Sequence, residues 1–136
     1  MSDAPGLAGI LETCVYYSAP EREQVERFYV ETLGLRRVAG WEDAFACRLA
    51  TGILLVFGRE ALAQREGPVT AHGSEGAGHL CLLAADGAYE SWRERLLEAG
   101  VEITHEQHWG DQKRSFYFHD PAGNLLEIAD SDIWPR

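Results

Sequence analysis

Three ionisable side chains, Glu12, His79 and Glu127, lie in segments that are otherwise apolar. Glu12 follows two aliphatic residues, and Glu127 stands between Leu126 and Ile128. A carboxylate inside an apolar strand is costly unless it is paired or bound to a metal. One imidazole and two carboxylates together form the ligand set of a divalent metal site with open coordination positions.

Each of the three residues also has a simpler interpretation. A glutamate in a strand more often faces solvent, and a single strand histidine is more often a core or surface residue than a ligand. What favours the metal site is that the three occupy matching places in a repeated sequence. Glu12 and His79 fall in the first strand of two similar units, and Glu127 matches Val56 in the last strand.

The repeated unit is a strand, a helix and three further strands. In the first unit, residues 10–17 predict a strand, Ser18 caps a helix that ends at Gly34, and three short strands follow near 35–39, 44–50 and 53–58. In the second unit, a strand at 79–84 precedes a helix that ends at Gly100. The apolar stripe of that helix is Tyr89, Trp92, Leu96 and Leu97. Three strands then follow, with the sequences VEITHE, RSFYFHD and NLLEIAD.

This order predicts an α+β fold of two tandem β-α-β-β-β modules, whose curved mixed sheets surround a cup-shaped site. We expect one domain over 1–136, with module one at about 8–58, a linker loop at 59–76 and module two at about 77–130. The length of 136 residues is typical of one domain.

Charge and composition exclude several partners. The chain has 12 lysines and arginines against 22 aspartates and glutamates, a net charge of -10. This balance argues against nucleic acid and an anionic membrane surface, and it suits a cationic ligand or a metal. The longest apolar run is too short to span a bilayer, and the first residues lack a signal peptide. Three cysteines without a C-x-x-C pair predict reduced thiols in the cytoplasm.

The stretches ERFYVETLGL, GHLCLLA and RSFYFHDPAGNLLEI resemble the vicinal-oxygen-chelate superfamily. Its members include glyoxalase I, fosfomycin-resistance enzymes, extradiol dioxygenases and bleomycin-binding proteins. The resemblance extends from about Ile10 to Ala129 and implies that Glu12, His79 and Glu127 are metal ligands. The fourth ligand of glyoxalase I would fall on Val56, so a four-ligand site is not expected. Relatives are usually homodimers, and whether one chain or two complete the site stays open.

Two carboxylates and a divalent ion give a formally neutral centre, which is a weaker Lewis acid than a +1 centre. This ligand set favours manganese or iron(II), with zinc, nickel or cobalt as alternatives. Three protein ligands on an octahedral ion leave room for two adjacent substrate oxygens and a third small ligand. The resemblance therefore implies a metal-dependent lyase, isomerase or dioxygenase that acts on a small molecule.

Further site residues follow from strand alternation and from the resemblance. Tyr16 shares the face of Glu12. Ser115 and Tyr117 match the substrate-binding S-x-Y pattern of fosfomycin enzymes, and Tyr117 is the expected hydrogen-bond donor. His72 lies in a glycine-rich loop that would cover the cup as a lid or supply a general base, or is simply solvated. The remaining candidates are Arg48 and Arg114, which would pair with an anionic substrate or serve surface ion pairs.

Two other functions stay open. A metal-free binding protein of the bleomycin-resistance kind would suit the acidic charge, but it has no need to bury two carboxylates beside a histidine. Thiol transfer to fosfomycin ranks lower, because Glu12 stands where that family has its first histidine.

Overall fold

In the computed structural model, which describes residues 5–68, 71–75 and 78–135, the chain forms two four-stranded sheets. The strands of the first are β1 (Glu12–Tyr17), β2 (Arg36–Trp41), β3 (Ala44–Leu49) and β4 (Gly52–Gly58), in the order β1-β4-β3-β2. The strands of the second are β5 (His79–Leu83), β6 (His105–Gly110), β7 (Lys113–His119) and β8 (Leu125–Ala129), in the order β5-β8-β7-β6. In each sheet the first strand is parallel to the last and the other pairs are antiparallel. The predicted pair of β-α-β-β-β modules is confirmed.

Helices connect the strands within each module. After β1 comes a 3₁₀ turn at Ala19–Glu21, then α1 (Arg22–Arg27), which continues as a π-helical turn at Phe28–Thr32. The remaining helices are α2 (Arg59–Ala63) and α3 (Tyr89–Glu98). At the start of the first helix, the Glu21 carboxylate accepts a 2.8 Å hydrogen bond from the Ser18 N–H. This bond satisfies a backbone donor at the predicted cap. In the part of the chain that the structure describes, no helix is long and apolar enough to cross a bilayer.

One hydrophobic core joins the two modules. It receives Val25 from α1, Leu96 from α3 and alternate residues of β1, β3, β4, β7 and β8. The rings of Phe28 and Phe118 lie 6.3 Å apart across the module boundary. Because side chains alternate along a strand, the residues between these core positions point to the opposite face of each sheet. That opposite face of each sheet, the cup face, carries the candidate site.

Helix α3 contributes to the stability of this core. Its two adjacent leucines allow a buried and an exposed side chain to be compared directly. Leu96 is fully buried, whereas Leu97 is 48% exposed. We expect Leu96→Ala to lower the free energy of unfolding by about 3–4 kcal/mol, because it leaves a cavity in the core. Leu97→Ala should cost less than about 1 kcal/mol, since it buries little surface. Urea unfolding of both variants measures this contrast, and equal losses would contradict the assignment of α3 to the shared core.

Several sequence predictions are wrong in detail. Leu97 does not belong to the buried stripe of α3. The predicted strand at 101–106 begins only at His105, because Val101 and Ile103 pack against the core as extended chain before the sheet begins. The predicted linker at 59–76 opens with helix α2, whose Leu62 is fully buried. Three residues of that linker (69, 70 and 76) and residue 77 of module two lie outside the described residues.

The two modules match with an offset of one residue from the sequence alignment. Glu12 pairs with Ile53 and His79 pairs with Leu125, so Glu127, two residues further, corresponds to Leu55. The match of Glu127 with Val56 is therefore wrong, and the reason is one additional residue in the turn before β8. A shift of one residue moves a strand position to the other face of the sheet. Val56 accordingly lies in the core.

Candidate metal centre and ligand cup

His79 and Glu127 lie on two neighbouring strands of the second sheet, β5 at its edge and β8. Their side chains meet with 3.2 Å between His79 Nε2 and Glu127 Oε1. His79 Nδ1 lies 2.9 Å from the carbonyl oxygen of Leu125. A carbonyl only accepts hydrogen bonds, so Nδ1 carries a proton and the ring is fixed in its orientation. The free lone pair of a neutral His79 is then on Nε2, which faces the carboxylate.

This pair of side chains fits a cation. Glu127 is only 4% exposed, and its second oxygen, Oε2, is buried without a hydrogen-bond partner in the described part of the chain. A lone pair and a carboxylate oxygen at 3.2 Å repel each other unless a proton or a metal ion is shared between them. Two adjacent ligands of one metal ion lie at about this separation, given metal–ligand bonds of about 2.1 Å. The unpartnered oxygen and the orientation of His79 therefore suit a divalent ion.

Tyr117 and Cys81 flank the pair on the same face. Tyr117 lies directly opposite Glu127 on β7, and its ring stacks on His79 at 6.2 Å. Burial and the nearby Glu127 carboxylate raise the pKa of Tyr117, so its hydroxyl stays protonated. The same two causes raise the pKa of the Cys81 thiol to about 12. Cys81 is therefore a neutral wall of the site and a poor nucleophile at neutral pH.

Two aromatic residues of β6, Trp109 and His105, lie beside Tyr117. Trp109 donates a 2.9 Å hydrogen bond from its indole Nε1 to Ser115 Oγ, and Ser115 is fully buried. The ring of His105 lies 5.9 Å from that of Tyr117. Ser115, a predicted substrate contact, is thus covered by Trp109. Because β6 pairs with β7 and alternate residues of a strand share a face, the sequence alternation could have placed both residues on the face of Tyr117.

Glu12, the third predicted ligand, lies on the first sheet, away from the other two. Among residues 5–68, 71–75 and 78–135, no three histidine, cysteine or acidic side chains lie close enough to hold one metal ion. On β1, the carbonyl of Tyr16 accepts a 2.9 Å hydrogen bond from Asn124 Nδ2 of module two. Glu12 is four residues from Tyr16, which is about 13 Å along a strand. One chain thus unites two of the three predicted ligands.

His72 closes one end of the cup face of module one. Its Nδ1 lies 2.5 Å from the hydroxyl of Tyr16, and its ring meets Phe57 edge-on at 5.0 Å. Burial and neighbouring Cys14 raise the pKa of Tyr16, so the phenol stays protonated. His72 also lines a groove of about 700 Å³ beside α2. This groove contains neither His79 nor Glu127, so its size does not mark it as the metal centre.

The two predicted substrate arginines lie on different surfaces. Arg48 points to the cup face of module one, because its neighbour Cys47 is in the core. Arg114 lies on the helix side of the second sheet, over the ring of Tyr89 at 4.3 Å and 2.6 Å from a carboxylate oxygen of Glu90. The fold places Arg114 away from the cup, in a set of ion pairs.

The chain is similar in sequence to one superfamily and in structure to several solved proteins. The sequence model of the Glyoxalase/Bleomycin resistance protein/Dioxygenase superfamily matches residues 18–128 of this chain. A lactoylglutathione lyase from Agrobacterium tumefaciens is 27% identical, with a TM-score of 0.87 over 95% of this chain and 98% of that chain. No curated protein matches the sequence.

More distant structures share the fold alone. A virulence protein from Salmonella typhimurium is 23% identical, with a TM-score of 0.70 over 90% of this chain and 96% of that one. A glyoxalase/bleomycin resistance protein/dioxygenase from Nocardioides is 20% identical, with a TM-score of 0.70 over 93% of this chain and 85% of that one.

Proposed function

Because the chain belongs to the glyoxalase/bleomycin resistance protein/dioxygenase superfamily, we propose that it is a divalent-metal-dependent enzyme that acts on a small molecule through two adjacent oxygens. The observation that carries this proposal is the contact between His79 Nε2 and the buried Glu127, whose second oxygen has no partner among the described residues. A binding protein without a metal gains nothing from burying such a carboxylate, which costs free energy when it is left without a cation.

Glu12, His79 and Glu127 would hold the ion, and the ion would polarise a substrate oxygen as a Lewis acid. The backbone carbonyl of Leu125 orients the imidazole of His79. Tyr117, protonated and stacked on His79, donates a hydrogen bond to the substrate. Trp109 excludes water from the Ser115 side of the cup. A general base would be supplied by His72, because Tyr117 stays protonated. Manganese or iron(II) is the preferred ion for this ligand set.

We propose further that Glu12 reaches the site from a second copy of the chain, in a homodimer. The support is that Glu12 is exposed at the far end of β1, while His79 and Glu127 meet on the other sheet. Each cup would then combine module one of one subunit with module two of its partner. The three thiols would stay reduced in the cytoplasm, where we place the enzyme.

A lyase or isomerase reaction is favoured over ring cleavage by dioxygen. The support is the likeness to the lactoylglutathione lyase, which extends over nearly the whole of both chains. One difference bears on the ligand set, since Leu55 occupies the module-one position that corresponds to Glu127. The ion therefore has at most three protein ligands in this cup, which leaves coordination positions for substrate.

A heterodimer of two inactive variants tests both the metal site and its division between subunits. Glu12→Gln and Glu127→Gln each remove one ligand, so neither homodimer should bind a stoichiometric ion. In a mixed dimer, Glu12 of the Glu127→Gln chain meets His79 and Glu127 of the other chain. We expect about one manganese ion per mixed dimer and about two per wild-type dimer, measured by elemental analysis after separation with two affinity tags.

Each other outcome contradicts a defined part of the proposal. Wild-type protein without bound metal, and with a melting temperature that manganese does not raise, would leave the metal-free binding function. A mixed dimer without an ion, beside wild-type protein that binds one ion per chain, would place the whole site within one chain. As the control, Glu94→Gln changes the same charge on the exposed side of α3 and should retain the metal.

A further inference from the structure

Arg36 and Arg48 differ from the other arginines that the structure describes. Each of the others contacts a carboxylate, a carbonyl oxygen, a hydroxyl or an aromatic ring. These other arginines are Arg22, Arg27, Arg37, Arg59, Arg65, Arg93, Arg95 and Arg114. Arg36 and Arg48 are exposed, and within the described residues they have no such contact. In a chain with a net charge of -10, two cations without acidic partners are unexpected.

The two arginines lie directly opposite each other on neighbouring strands. Arg36 on β2 pairs with Arg48 on β3, which in turn pairs with Ile53 on β4 and thus lies in line with Glu12 on β1. Cross-strand partners point to the same face of a sheet. That face is the cup face, because Cys47, the neighbour of Arg48, lies in the core.

This arrangement costs stability in the absence of a ligand. Like charges directly opposite each other on antiparallel strands repel. Glu26, the carboxylate that binds Arg22 and Arg37, lies on the helix side of the sheet and does not neutralise this pair. An anion between the two guanidinium groups would remove the repulsion, and guanidinium groups match carboxylate and phosphate oxygens with paired hydrogen bonds.

The remainder of this face suits an apolar body attached to the anion. The next row across the strands contains the small residues Ala39 and Ala46. Beyond it lies a row with Trp41 and Phe57, where α2 and His72 close the face. The face therefore has a cationic end and an aromatic end, with the half-buried Ala39 and the buried Ala46 between them.

We propose that Arg36 and Arg48 bind the anionic group, a carboxylate or a phosphate, of an organic substrate whose apolar body lies along Ala39 and the exposed Trp41. The proposal rests on the proposed function for the position of the reacting oxygens. Arg48 and Glu12 are two strands apart, which is about 10 Å between their Cα atoms. The substrate thus extends well beyond the two oxygens at the metal, and its charged group lies at the rim of the cup.

Binding of two simple anions tests this assignment without knowledge of the substrate. Phenyl phosphate and benzoate are titrated calorimetrically into wild-type protein and into Arg36→Gln, Arg48→Gln and the double variant. We expect affinity to fall about threefold to fivefold in each single variant and at least about tenfold in the double variant. The probe that binds more tightly identifies the group as phosphate or carboxylate. Arg27→Gln, which removes the same charge from the exposed side of α1, should change affinity less than about twofold.

Further measurements distinguish this anion site from the metal centre and from a contact between subunits. The titrations are repeated with EDTA, where anion binding should persist even if the metal proposal fails. Melting temperatures of the ligand-free arginine variants should equal or exceed the wild-type value, because repulsion is relieved. The proposal is overturned if wild-type protein binds neither probe, or if the double variant binds as wild type does. It is also overturned if the variants sediment as a different oligomer, since the arginines would then serve subunit contact.

Discussion

Glu127→Leu is expected to abolish stoichiometric binding of divalent metal and, at the same time, to stabilise the metal-free protein. The carboxylate is 4% exposed and leaves Oε2 without a hydrogen-bond partner in the described structure. Burying an unsatisfied charged group costs free energy, and leucine removes that cost. Module one already has leucine at the corresponding position, Leu55, so this strand accepts the side chain.

The expected loss of manganese affinity exceeds about 100-fold, because two of three ligands cannot hold the ion at the affinity of three. The expected gain in the free energy of unfolding, measured with urea in EDTA, is about 1–3 kcal/mol. Opposite signs for metal binding and stability are typical of a functional site. Glu94→Leu makes the same chemical change on the exposed side of α3 and should retain the metal. A destabilised Glu127→Leu protein would show that the carboxylate serves the fold instead.

Asp120→Ala is expected to cause a large loss of stability, about 3–5 kcal/mol. Asp120 is 4% exposed and accepts hydrogen bonds from the Tyr29 hydroxyl at 2.7 Å, from the N–H groups of Ala122 and Asn124, and from Asn124 Nδ2 at 2.8 Å. Alanine leaves these donors buried without an acceptor. Because Asn124 also binds the carbonyl of Tyr16 in module one, the loss extends to the contact between modules.

One milder variant isolates a single hydrogen bond of Asp120. Tyr29→Phe removes one donor and should cost about 1–2 kcal/mol, since the carboxylate retains its three other bonds. Burial and the Asp120 carboxylate hold the pKa of Tyr29 well above its usual value, so its hydroxyl remains a donor at all physiological pH values. Urea unfolding of the three proteins gives the comparison. Equal losses for Tyr29→Phe and Asp120→Ala would show that the backbone bonds contribute nothing.

The amino-acid sequence by itself determined which side chains are candidates for chemistry and which strands carry them. The alternation of Ser115, Phe116, Tyr117 and Phe118 predicted the face of β7 that lies in the core and the face that carries polar groups. Alternation also places Arg114 opposite to Ser115, on the helix side where the structure has it. These properties are local, because a strand repeats every two residues whatever surrounds it.

The tertiary structure decided which of these residues meet. One additional turn residue before β8 sets Leu55, and not Val56, at the position that corresponds to Glu127. A bulge at Val38 sets Arg36 opposite Arg48, a pair that is invisible in the sequence since twelve residues separate them. The shared core joins the modules through the Tyr16 end of β1 and leaves Glu12 at the other end. Such neighbours depend on register, bulges and module packing, which arise from contacts between distant segments and not from the pattern within any one of them.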